Sequence, residues 1–194
     1  MGIDDFSGHS DWLEGHMFDR RIVSLRGPLD HGTATRIASQ LMTLDANGDE
    51  AVQLQLDSEG GSLEAAFAVI DVIDALGVPV HVTCLGRVEG SAAAVAAVCS
   101  RRLAMTHTRF RLSDPDVEFE ARASQVAALL RHHREGFLRF HERLAMATGR
   151  SLDAVTTACE EGRYMDSNEA IAFGLVDEIV RSQRAPIRSL PGFG

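Results

Sequence analysis

The chain has 194 residues, 45% hydrophobic and 24% charged, a balance that supports one globular domain with its own core. All 19 basic residues are arginine, and the lack of lysine excludes a Walker-type phosphate loop, a Schiff-base lysine and a serine–lysine dyad, since each needs an amine that can release its proton. With 28 acidic residues the net charge is −9, which argues against nucleic acid or an anionic membrane as partner.

No segment near the start is apolar enough for a signal peptide or anchor, and the alanine-rich run 92–98 is too short to span a bilayer, so a cytoplasmic location is expected. Residues 1–17 read as a flexible N-terminal arm, with Trp12 and Phe18 as candidate anchors. Arg21 to Gly27 reads as a strand closed by Gly27-Pro28, and Ile37, Leu41 and Leu44 mark a helix over 33–44. Residues 52–56 alternate as a half-buried strand and run into Asp57-Ser-Glu-Gly-Gly-Ser62, where Ser62 caps a helix that stops at Gly77-Val-Pro79. A third strand is expected over 78–85, a turn over 86–91, a buried small-residue helix over 91–99, and short strands at 102–105 and 109–112.

Residues 121–147 hold no proline and many helix formers, which predicts one helix about 40 Å long that projects beyond the domain toward another subunit. Ser151 caps the next helix, Asp166 and Glu169 supply a capping box, and residues 175–180 form the last strand. The tail 182–194 reads as flexible. Cys84, Cys99 and Cys159 are scattered and match no disulfide or zinc spacing. His132, His133 and His141 lie on the long helix, where adjacent histidines point apart and no carboxylate pair completes a ligand set, so neither a metal nor a cofactor is expected.

Strand–helix alternation defines an α/β class. In order, Arg-Ile-Val-Ser-Leu-Arg-Gly-Pro, Leu-Asp-Ser-Glu-Gly-Gly-Ser-Leu, Cys-Leu-Gly, Ala-Thr-Gly-Arg-Ser-Leu, Tyr-Met-Asp-Ser-Asn-Glu-Ala and Phe-Gly-Leu-Val-Asp resemble the ClpP family, the proteolytic subunits of ATP-dependent Clp proteases. The resemblance spans residues 18–180, within a domain expected over 18–181, and implies a ClpP/crotonase-type repeated β-β-α superhelix, with 121–147 as the handle helix that joins stacked rings. It implies a homo-oligomer, heptameric or a stacked double ring, or a hetero-oligomer with active paralogues, beneath an AAA+ unfoldase.

The family's catalytic positions are altered. Four residues past Gly86, where the nucleophilic serine belongs, stands Gly90, and Ser91 is offset by one. Such an offset turns a helix-start side chain by about 100°. The histidine of the His-Gln-Pro motif is Ser113, and the aspartate position is Gly162. A serine hydroxyl needs a base and an acid that orients it. His107 lies about 20 Å along the strand from Ser113, too far to substitute. Gly60 and Gly61 match the family's oxyanion and peptide-binding turn, with Glu59 in place of proline, a charge that would oppose an oxyanion. Arg163 corresponds to a ring-interface arginine, and His132 and His133 fall on a solvated or subunit-facing belt. Three functions are thereby open: a noncatalytic ClpP-like ring subunit with a structural or regulatory role, a serine endopeptidase using Ser91 with a rewired base, and a crotonase-like acyl enzyme.

Overall fold

Apolar residues at alternate positions of 52–58 are fully buried and the residues between them half-buried, which makes this stretch, β2 (Val52–Ser58), a central strand. A computed structural model describes residues 4–115 and 122–180, and in it β2 follows α1 (Asp4–Asp19), β1 (Ile22–Arg26) and α2 (His31–Ala46). The chain continues through α3 (Leu63–Ala75), β3 (Val80–Glu89), α4 (Ser91–Ala97), β4 (Arg101–Met105) and β5 (Arg109–Leu112). After a short 3-10 turn come α5 (Val126–Thr148), α6 (Leu152–Glu160), β6 (Arg163–Met165), α7 (Ser167–Phe173) and β7 (Glu178–Val180).

The main sheet is parallel in the order β1-β2-β3-β4-β7, and each crossover lays a helix on it, as repeated β-β-α turns require. Ser62 caps α3 by accepting from the Ala65 N–H, and Asp166 with Glu169 forms the full capping box of α7. The alanines of α4 are all buried, because only side chains this small let a helix lie so close to α3 and the sheet.

Three elements differ from the sequence expectation. Residues 4–19 are helical, where a flexible arm is expected over 1–17; the Trp12 and His16 rings meet edge to face at 4.3 Å, and Phe18 packs on the core. The expected turn after residue 85 is strand. At Gly86 (φ +42°) the strand bulges, the Asp57 carboxylate accepts the Arg87 N–H at 3.0 Å, and β3 runs on to pair with β5 instead of β4. The handle helix begins at Val126 and ends at Gly149, which takes the left-handed conformation (φ +68°). Its buried residues are Gly136, Phe140, His141 and Leu144, so its C-terminal half holds it to the domain while Leu130, 52% exposed, projects. The expected tail at 182–194 and the handle's start at 121 lie outside the described residues. Among the described residues no helix is long and apolar enough to cross a membrane.

Arg102 ties the C-terminal segment to the sheet. Its Nη1 donates to the carbonyls of Ala147 and Gly174, its Nε to Asp177 Oδ1 at 3.1 Å, and its backbone N–H to Asp177 Oδ2 at 2.8 Å. Desolvation pushes the Asp177 carboxyl up, but the Arg102 side-chain and backbone hydrogen bonds and nearby positive charge outweigh it, and the pKa lies below the usual carboxylate value. A depressed folded-state pKa adds stability that is complete above the unfolded value of about 3.9 and is lost as pH falls through the folded value. Asp177→Asn should therefore lower stability at pH 7 and flatten the acid limb of urea midpoint against pH below about pH 4; an unchanged acid limb would refute the assignment.

Candidate functional site

The bulged end of β3 delivers the chain into a sharp turn at Gly90, whose φ of 51° and ψ of −127° precede the first residue of α4. Such a strained strand-to-helix turn is the geometry in which elbow-type hydrolases present a nucleophile. A Cβ on Gly90 would point at Ser113, 3.5 Å from its Oγ and 3.8 Å from its carbonyl oxygen. The Gly90 N–H donates to the Arg111 carbonyl at 3.0 Å and locks elbow and β5 together. β5 and β6 pair antiparallel with Leu112 opposite Arg163, so the next residues along that register are Ser113 and Gly162. The fold thus sets Gly90 against Ser113 and leaves Gly162 at the next step of the β5–β6 register, and none of the three carries the group a triad needs at its position.

Ser91, the offset serine, points elsewhere. Its side chain is fully buried, and its hydroxyl accepts from the Gly61 N–H at 3.0 Å while donating to the Gly61 carbonyl at 3.1 Å. No histidine or carboxylate is hydrogen-bonded to it among the described residues. The Gly60 N–H is also engaged, with Ser58 Oγ at 3.0 Å. Both amides of the expected cradle therefore have internal partners. Leu29 runs beside the turn, donating to the Gly60 carbonyl at 2.8 Å and accepting from the Ser62 N–H at 3.0 Å.

Glu59 pairs with Arg87 at 3.0 Å, so its charge is compensated, and the expected repulsion of an oxyanion loses its force. His107 is exposed in the turn between β4 and β5, and His81, on the first half of β3, meets Gln53 at 3.3 Å; neither approaches the elbow. Burial pushes the Cys84 and Cys159 thiols up to about 12 and Cys99 higher, so no thiolate stands in as nucleophile. Arg163 is exposed, its guanidinium over the Phe173 ring at 5.4 Å, and His132 and His133 sit on the N-terminal half of α5, near Glu64 of α3, with ring centroids 5.7 Å apart.

Two features were not anticipated. Arg111 brings its guanidinium to Gly162, where a Cβ would lie 3.3 Å from Nη2, and its Nε is buried without a hydrogen-bond partner among the described residues. Alternation along β5 was the available signal, since Arg111 and Ser113 are two apart and share a face. The second is the pairing of His141 Nε2 with Asp114 Oδ1 at 2.6 Å, which joins the handle to the residue after Ser113.

The parallel sheet with its crossover helices, entered through the Gly90 elbow, fits the ClpP fold. The Clp protease family model matches residues 8–183. The ATP-dependent Clp protease proteolytic subunit 3 of Rhizobium johnstonii is 30% identical over 172 residues, covering 88% of this chain and 89% of its own, and that of Rhizobium etli matches to the same extent. The chain belongs to the Clp protease family.

Proposed function

We propose that this protein is a noncatalytic ring subunit of a Clp-type assembly, with a structural or regulatory role. The observation that carries the reading is the pair Gly90 and Ser113: the elbow aims its Cβ direction at the base position, but Gly90 has no side chain to attack with and Ser113 offers a hydroxyl where a base is needed. The reciprocal bond of Ser91 with Gly61 supports it, because that hydroxyl is committed to backbone, away from any proton acceptor.

The assembled state is a homo-oligomeric ring or a ring mixed with active paralogues, served by an ATP-driven unfoldase, as the relatives' designation as subunits of an ATP-dependent protease suggests. The N-terminal half of α5, with His132 and His133, and the exposed Arg163 are the surfaces that such contacts would cover. The protein works in the cytoplasm.

A fluorophosphonate probe followed by intact mass tests the catalytic part of this reading. Wild type and Ser91→Ala should both remain unlabelled while an active ClpP control acylates. Ser91→Ala should also lose about 1–2 kcal/mol in urea unfolding, the worth of two hydrogen bonds. Stoichiometric labelling of wild type that disappears in Ser91→Ala would overturn the noncatalytic reading. A clean monomer in native mass spectrometry, alone and with a catalytic paralogue, would overturn the ring.

A further inference from the structure

Asp114, His141 and Cys159 come from three separate parts of the fold: the segment after β5, the buried half of α5, and α6. Each offers one ligating atom, a carboxylate oxygen, a ring nitrogen and a thiol sulfur, and these atoms lie within 4.8 Å of one another. His141 and Cys159 are buried, whereas the Asp114 side chain is 33% exposed and opens the cluster to solvent on one side. The imidazole is held at both nitrogens, with Nε2 2.6 Å from Asp114 Oδ1 and Nδ1 3.2 Å from Thr156 Oγ1.

We propose that these three residues form a binding site for a divalent cation of the zinc class, separate from the elbow. A mixed nitrogen, oxygen and sulfur set suits zinc, which takes all three, and disfavours calcium and magnesium, which take oxygen. Bonds of about 2.0–2.3 Å at tetrahedral angles place ligand atoms roughly 3.3–3.8 Å apart, which side-chain rotation reaches from the observed cluster. Water fills the fourth position from the Asp114 side.

Binding releases the Cys159 thiol proton to solvent. Nε2 ligates without a proton, any proton it carried leaving with the thiol proton or moving to Nδ1, where the ring's remaining proton is donated to Thr156 Oγ1. That bond supplies the outer-shell support that ligating histidines characteristically have. The bound ion would clasp the base of the handle to α6 and to the residue beside Ser113.

The test is titration of the purified, chelator-treated full chain with cobalt(II), then displacement by zinc. One cobalt per chain is expected, with the visible bands of a tetrahedral ion and a thiolate-to-cobalt band in the near ultraviolet. Cys159→Ser should remove the thiolate band, and Thr156→Val should weaken affinity about 10–100-fold. X-ray absorption of the zinc-loaded wild type should show one sulfur at about 2.3 Å, a readout that needs no variant to fold. Absence of binding, a zinc shell without sulfur, or a thiolate band that persists in Cys159→Ser and vanishes with Cys84 or Cys99 would each overturn the site.

Discussion

Gly61→Ala is expected to prevent folding, with a loss of at least about 4 kcal/mol, and Gly60→Ala to do nearly as much. A Cβ on Gly61 would overlap the Leu29 carbonyl oxygen and stand 2.9 Å from its carbonyl carbon. On Gly60 (φ +84°) it would stand 2.6 Å from the Glu89 carbonyl oxygen and 3.1 Å from the Ser91 nitrogen. All of these atoms are backbone, so no side chain can swing aside. The hydrogen bonds that thread Leu29 between Gly60 and Ser62 would be pushed open in the same step. Gly149 is the control: its φ is also positive at +68°, but nothing lies within 4 Å of an added Cβ, so Gly149→Ala should cost only about 1–2 kcal/mol. Urea unfolding of the three variants decides the matter. A Gly61→Ala protein as stable as the Gly149→Ala protein would show that the close approach is not what holds this turn.

The second expected result is a gain of chemistry by steps. Gly90→Ser alone should not react faster than wild type with a fluorophosphonate, because its hydroxyl would face Ser113 with no base to take its proton. Adding Ser113→His should raise the acylation rate about 10²–10⁴-fold, the usual worth of a placed general base. Adding Ser91→Ala should raise it by up to a further 10²-fold or so, because the Gly61 N–H now bonded to Ser91 becomes available to an oxyanion. Gly162→Asp should add little, since a carboxylate there would meet Arg111 first. Each variant is checked for folding by circular dichroism, and the serine costs about 1–3 kcal/mol of backbone strain at the elbow. If the Gly90→Ser/Ser113→His protein folds and labels no faster than wild type, the assignment of these positions as nucleophile and base sites is wrong.

Much of this architecture is legible in the sequence because it depends on local chemistry. Alternation over 52–56 identifies β2, Ser62 announces the start of α3, and Asp166 with Glu169 announces α7, each by hydrogen bonds that span three residues or by a period of two. What escaped depends on partners distant along the chain. Gly86 looks like a turn glycine, yet Asp57 bonds the Arg87 N–H and turns the break into a bulge that passes β3 from one partner to another. Glu59 looks like an obstacle to an anion until Arg87 is seen to pair with it. Ser91 looks like a displaced nucleophile, and only the fold places it on Gly61. His141 groups in the sequence with its helix neighbours His132 and His133, whereas its partners Asp114, Thr156 and Cys159 lie on other segments.

The projecting half of α5 has a consequence in helix–coil terms. Its first helical residue follows Gln125, which makes no side-chain cap, and its first turn holds no acidic residue to meet the helix dipole. About ten residues of helix with little packing are marginal in water, and this stretch persists as propagation from the anchored turns around Phe140 and Leu144. In a lone chain its amides are expected to exchange by fraying from the Val126 end inward. A neighbour that covers Leu130 would supply the packing the stretch lacks, so assembly would be recorded as helical order at the tip of the handle.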